Sequence, residues 1–228
     1  MLGTHLADIL DAAGIPYCKG GVMASNAAWR ESVSGWDRRI ATWIGRSAAR
    51  DLLNVDIFFD FRPVSGEARL AEDVWRNAYR RAENQIPFLK LLSESTAGFA
   101  PPLNFLGGFR MQAGRLDLKA GGLFPIVASA RLLSLRYGVV RRETPARLAG
   151  LLAFEIGAAA DIERLIRSHE LFVDIILRQQ IEDLAQGIPP SNRIVPGLLS
   201  ASHRSELKEA LAHLHHLDAM IRDLLFGK

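Results

Sequence analysis

Two acids stand four residues apart inside an apolar run. Asp56 and Asp60 interrupt the stretch LLNVDIFFDFRPV, from Leu52 to Val64, in which Val55, Ile57, Phe58, Phe59 and Phe61 are β-branched or aromatic and Pro63 closes the run. That composition predicts a buried β-strand. Even separations along a strand point to one face, so both carboxylates would line one surface. Charge in such a place is costly unless it is paired, protonated or bound to a metal. Carboxylates on a sheet face suit a hard cation such as Mg²⁺, and metal-assisted phosphoryl transfer uses such ligands. The alternative is structural: one acid pairs with Arg62 or Arg50 and the other sits at a strand end.

Further groups could handle anions. The loop YCKGGVMASN places Lys19 before two adjacent glycines, whose backbone N–H groups can approach a phosphate, although the spacing is not that of a P-loop and a plain turn explains it too. In RLDLKAGGLFP, Asp117 and Lys119 precede glycines and a helix start; this is either an anion site or an exposed loop with an acidic N-terminal residue. Polar residues also fall within apolar stripes. Arg131 follows Val127 by four, His169 follows Leu165 by four, and Gln180 follows Ile176 by four. These face a bundle interior or a groove, and a buried Arg131 needs a partner such as Glu155, Asp161 or a ligand phosphate. Satisfied hydrogen bonds between helices are the other reading. His213, His215 and His216 lack a third metal ligand and read as a solvated face. No Ser-His-Asp set, HExxH, CxxC or dinucleotide fingerprint occurs.

The elements that would position these groups are mostly helices. A short amphipathic helix over 2–13 carries Leu6, Ile9 and Leu10 on one side and stops at Gly14. Trp29, Trp36 and Trp43 are spaced by seven, which places them on one face of an unbroken helix. Helices follow the strand over about 67–84 and 86–96, and a Pro/Gly-rich loop occupies 97–122. Then come helices over 123–137, from Thr144-Pro145 to about 156, over 161–186, and a last one to Leu224. The stripe of the longest helix is Ile162, Leu165, Ile166, Phe172, Val173, Ile176, Leu177, Ile181 and Leu184. The expected fold is mainly α, a C-terminal antiparallel helical bundle with an N-terminal partial α/β segment. A lone strand needs neighbours for its backbone, which this chain hardly supplies.

Composition narrows the function. The 228 residues hold 28 basic against 25 acidic side chains, a net charge of +3, which does not point to nucleic acid. With Cys18 as the one cysteine no internal disulfide is possible, and a reducing cytoplasm fits. No apolar run has the length of a membrane span; the closest, Leu148 to Ala160, is broken by Glu155.

Four long stretches carry a family resemblance: PYCKGGVMASNAAWRES, NVDIFFDFRPVSGEARLAEDV, RLDLKAGGLFPIVASARLLSLRYGV with TPARL, and LRQQIEDLAQGIPPSNRIVPGLLS. Together they resemble the signal-transduction nucleotidyltransferases related to protein-PII uridylyltransferase. In bacterial members this unit often follows cyclic-nucleotide-binding and CBS domains. By that resemblance residues 1–75 are the C-terminal part of a nucleotidyltransferase domain and residues 86–228 a helical substrate-binding domain. The activity implied is NMP transfer from an NTP, with Mg²⁺, to a protein or small-molecule acceptor. IFFDF matches the place of the third metal carboxylate of that fold, with Asp60 the best fit and Asp56 second. The Gly-Ser turn and first pair of carboxylates have no counterpart, so the chain is expected to be a fragment, inactive alone. Lys119, Arg131 and Gln180 would face the cleft. The other hypotheses are a non-catalytic module that docks a partner protein or nucleotide, and a toxin–antitoxin-like helical partner of a catalytic subunit.

Overall fold

A computed structural model describes residues 2–48, 51–96 and 98–227. The chain is mainly α. Its helices are α1 (Leu2–Ala12), α2 (Val33–Arg46), α3 (Leu52–Asp60), α4 (Ala68–Ala82), α5 (Ile86–Thr96), α6 (Phe124–Arg136), α7 (Thr144–Ala153), α8 (Ala159–Ala185), α9 (Ala201–His213) and α10 (Leu217–Phe226). Two short strands, β1 (Leu116–Asp117) and β2 (Arg193–Ile194), pair antiparallel with Leu116 opposite Ile194 and Asp117 opposite Arg193.

The strand expected over Leu52–Val64 is instead the helix α3. Its buried residues are Val55, Phe58 and Phe59, a spacing of three and one that belongs to a helical face and not to alternation. A helix also satisfies its backbone within itself, so it needs no sheet. The N-terminal segment is therefore helical, and among the described residues the paired strands lie only in the two-stranded ribbon of β1 and β2 and two isolated bridges.

α6 organises the bundle. From Pro125 to Leu135 nearly every residue is buried, Ser129, Arg131 and Ser134 included, which is the pattern of a helix enclosed on all sides. It packs against α5, α7 and α10 and touches α4. A π-turn, Lys119–Leu123, leads directly into it. Gly122 permits this entry, because a Cβ there would lie 2.9 Å from the Phe172 ring of α8. One hydrophobic core runs without a break from Ile40 of α2 to Leu225 of α10.

The stripe of α8 is narrower than its apolar content. Phe172, Ile175, Ile176, Gln179 and Asp183 are buried, whereas Val173, Leu177, Ile181 and Leu184 are exposed. The apolar residues of α1 are likewise exposed, Leu6 and Ile9 among them. The last expected helix is two, α9 and α10, joined by a short 3₁₀ turn, with Leu207, Leu211, Leu214, Leu217 and Ile221 buried along both.

The three tryptophans come together although their helix is interrupted. Trp29 ends a 3₁₀ turn capped by Asn26, and α2 starts afresh at Ser32, whose Oγ accepts from the Gly35 N–H at 3.1 Å. The rings of Trp29, Trp36 and Trp43 lie 6.0–6.4 Å apart, and Phe58 of α3 packs on Trp36 at 5.7 Å and on Trp43 at 6.1 Å. Such aromatic pairs add to area burial. Phe58 is thus the joint between α2 and α3. A Phe58→Ala variant is expected to lose about 3–5 kcal/mol in urea unfolding and to red-shift tryptophan emission. A loss under about 1 kcal/mol with unchanged emission contradicts this joint.

Candidate functional site

The C-terminal end of a helix carries unpaired carbonyls and the negative end of its dipole. α3 ends in this way on Asp60, with Asp56 one turn earlier, so four spacings of one residue bring two acids to one helical face beside an already negative terminus. Such an end needs cations. The bundle supplies them from α6, α7 and the loop between.

Arg131 of α6 donates through Nη1 to Asp56 at 2.9 Å and through Nε to Asp60 at 3.3 Å, and its Nη2 closes a second bond to Asp60. Arg147 of α7 donates through Nη2 to Asp60 at 2.8 Å and to the Phe59 carbonyl at 3.1 Å, and through Nε to the Arg141 carbonyl at 2.9 Å. Trp75 Nε1 of α4 gives the Phe59 carbonyl a second bond at 3.1 Å. Arg142 donates to the Phe61 carbonyl at 2.6 Å and to Glu72 at 2.9 Å, and stacks on the Trp75 ring at 3.7 Å. The Tyr79 hydroxyl donates to the Arg141 carbonyl at 3.0 Å. The Arg147 side chain is 1 % exposed and that of Arg131 8 %, whereas Asp60 is 39 % exposed. The guanidinium groups form a floor, and the carboxylates reach solvent above it.

The two acids are driven apart electrostatically. Burial pushes the Asp56 carboxyl up, and Arg131 only partly offsets this, so Asp56 stays above the usual carboxylate range. Burial also pushes Asp60 up, but the bonds and charges of Arg131 and Arg147 outweigh it and hold Asp60 below that range. Burial opposes the charge of Arg131, which the two acids more than restore.

These residues do not fit the Mg²⁺ site that the family resemblance implies. The third-carboxylate role of Asp60 assumed a strand, and the segment is helical. Both Asp60 oxygens accept from arginine, and two acids against two arginines leave no net negative charge to draw a cation. Among the described residues no group of three or more His, Cys, Asp or Glu is placed to hold a metal. Of the partners expected for the acids, Arg62 makes no ion pair among the described residues and Arg50 lies outside them. Arg131 meets Asp56 and Asp60 rather than Glu155 or Asp161.

The remaining expected site residues gather elsewhere or not at all. Lys119 is exposed at the start of the π-turn, next to β1. Gln180 donates to the Ser191 carbonyl at 3.0 Å, just ahead of β2. Both thus belong to the surroundings of the ribbon. Lys19 is exposed in the turn closed by the Gly21 N–H on the Cys18 carbonyl, in neither locality. His169 is half-buried; its Nδ1 has no partner among the described residues, and burial pulls its pKa down.

Sequence reasoning missed Arg147, although it sits in the stripe Thr144, Arg147, Leu148, Leu151, all buried. The signal that found Arg131, a cation in an apolar stripe, was present there too. On α8 the buried amide is Gln179, one position before Gln180. It donates to Asp183 at 2.9 Å and accepts from the Val195 N–H. Buried Asp183 also receives both Nη atoms of Arg115 at 2.7 Å.

Comparison with known proteins adds the family. The description "putative nucleotidyltransferase substrate binding domain" matches residues 86–223, more than half of the chain. The chain belongs to that family. Residues 1–50 match "putative nucleotidyltransferase DUF294". No curated protein and no solved structure matches the chain. The Asp56–Asp60 helix lies between the two matched stretches, and its arginine partners, Arg131 and Arg147, lie within the substrate-binding family's span. No described helix is long and apolar enough to cross a membrane.

Arg147→Met should cost about 3 kcal/mol in urea unfolding, the low end for a broken buried pair because Asp60 can rehydrate. A second expectation follows from linkage. Asp60, depressed in the folded state, contributes stability that is present above its unfolded pKa of about 3.9 and is lost as pH falls through the lower folded value. Asp56, raised in the folded state, works in the opposite sense. Asp60→Asn should therefore flatten the acid limb of stability measured from about pH 5 down to about pH 2. An unchanged limb contradicts the role given to Asp60.

Proposed function

We propose that the chain serves nucleotidyl transfer in bacterial signalling as the part that holds the substrate against a nucleotidyltransferase unit. It does so as a preformed wall, without a metal site of its own. The observation that carries this reading is the arginine-bound end of α3. It ties the helix that follows the nucleotidyltransferase-like stretch to two central helices of the substrate-binding bundle. A wall fixed in this way keeps a bound acceptor in a constant position relative to the transferring unit, which is what an in-line displacement requires. NTP and Mg²⁺ would then be held by the nucleotidyltransferase unit, and Arg131 would be a positioning residue.

The test uses α-labelled NTPs, Mg²⁺ and a cell extract as the source of acceptor. The chain alone should label nothing. The chain supplied with a nucleotidyltransferase unit bearing the Gly-Ser turn and paired carboxylates should label a product. Labelling by the chain alone overturns the division of labour, and no labelling by the pair overturns the transfer reading.

A further inference from the structure

Beside the ribbon the sequence motif RLDLKAGG forms one side of a cleft of about 490 Å³. That volume suits a small organic ligand and exceeds what a bare ion needs. Three arginines line it: Arg110, Arg115 and Arg193. Their charges are not equally committed. Arg115 is spent on buried Asp183, with both Nη atoms at 2.7 Å, and also donates to the Arg193 carbonyl at 3.1 Å. Arg193 stands across the ribbon from Asp117 with Nε 3.8 Å from its carboxylate, an ion pair too long for a hydrogen bond. Arg110 has no acid partner among the described residues; its Nη2 donates to the Pro101 carbonyl at 2.9 Å.

The acid in the cleft is itself partly occupied, since Asp117 Oδ1 accepts from the Ala120 N–H at 3.0 Å. The cleft is therefore cationic, with Arg110 and Arg193 holding free donors. Its shape is set in advance. The carbonyl that holds Arg110 belongs to the segment that seats Pro102 on Gly121, where a Cβ would come within 2.7 Å of the proline ring. Donors fixed before binding lose little freedom on taking a ligand. Phe99 and Met111 add an apolar wall beside the charged one. A polar groove between α8 and α9 sets Arg164 and Arg167 against Glu206 and Glu209 and has no such surplus.

We propose that this cleft is the substrate pocket of the bundle, and that it takes a phosphate group carried on a small organic body. Arg110 and Arg193 approach from two different segments, so their planar forks can bind separate oxygens of one phosphate. Phe99 and Met111 cover the body. This deepens the substrate-binding role proposed above and rests on it only for the ligand's part in transfer.

The experiment is calorimetric titration of the full chain with inorganic phosphate, a sugar phosphate and a nucleoside monophosphate. Saturable binding of at least one is expected, and the tightest arm tells which body carries the phosphate. Arg110→Gln combined with Arg193→Gln should weaken it at least about tenfold, while Lys19→Gln leaves it unchanged. Thermal melting of each variant checks the fold, and Arg110→Gln alone, which changes an exposed side chain and its bond to the Pro101 carbonyl, should still weaken binding. No saturable heat with any of the three at millimolar concentration overturns the site, as does wild-type affinity in the double variant. Phosphate binding by a chain whose paired assay shows no nucleotidyl transfer leaves the site standing and removes the transfer reading.

Discussion

The end of α3 is the constraint on which the arrangement depends. A nine-residue helix with three buried apolar side chains terminates on an acid, with its last carbonyls turned toward the core. Left alone, that end would combine dipole, unpaired carbonyls and two carboxylates of one sign. Arg131, Arg142 and Arg147 answer each of these terms with a named bond. All three cations come from α6, α7 and the loop between, so neutralising α3 also fixes where the N-terminal helices lie on the bundle. The aromatic contacts of Phe58 then carry that placement on to α2.

Burying two guanidinium groups is expensive, and α6 shows how the chain manages it. Arg131 sits in a helix enclosed on nearly every side, yet its head group meets carboxylates that remain open to water. The pair is therefore buried on the cationic side and solvated on the anionic side, which lowers the desolvation cost relative to a fully enclosed pair. The ribbon shows the reverse: Asp183 is enclosed and Arg115 reaches outward. Each ion pair presents one sign to solvent, acidic at α3 and basic at the cleft. The two localities thus suit different work, attachment at one and capture of an anion at the other.

Much of this was legible in the sequence, and the failures have physical causes. The long helices α4 and α8 were readable because apolar spacing of three and four repeats in each, and α6 because Pro125 and Gly138 mark its ends. The run at 52–64 misled because residues that favour strands also fill short buried helices. The spacing of Asp56 and Asp60 by four did not decide the matter, since it fits a helical face as well as a strand. Val173, Leu177, Ile181 and Leu184 entered the expected core although they are exposed. An apolar composition on two faces of α8 hides which face is inside. Gln179 and Asp183 mark the true one: both are buried, and there Gln179 bonds to Asp183 and Asp183 to Arg115.

Asp60 anchors α3 through its arginines and not through a metal, and a double-mutant cycle on stability tests this most directly. Asp60→Ala, Arg131→Met and the combined variant would be unfolded in urea without divalent cations. Direct pairing predicts a coupling of about 1–3 kcal/mol, with the double variant less damaged than the sum of the two. Additivity within about 0.5 kcal/mol would mean that the two residues do not act on each other, and would contradict the account.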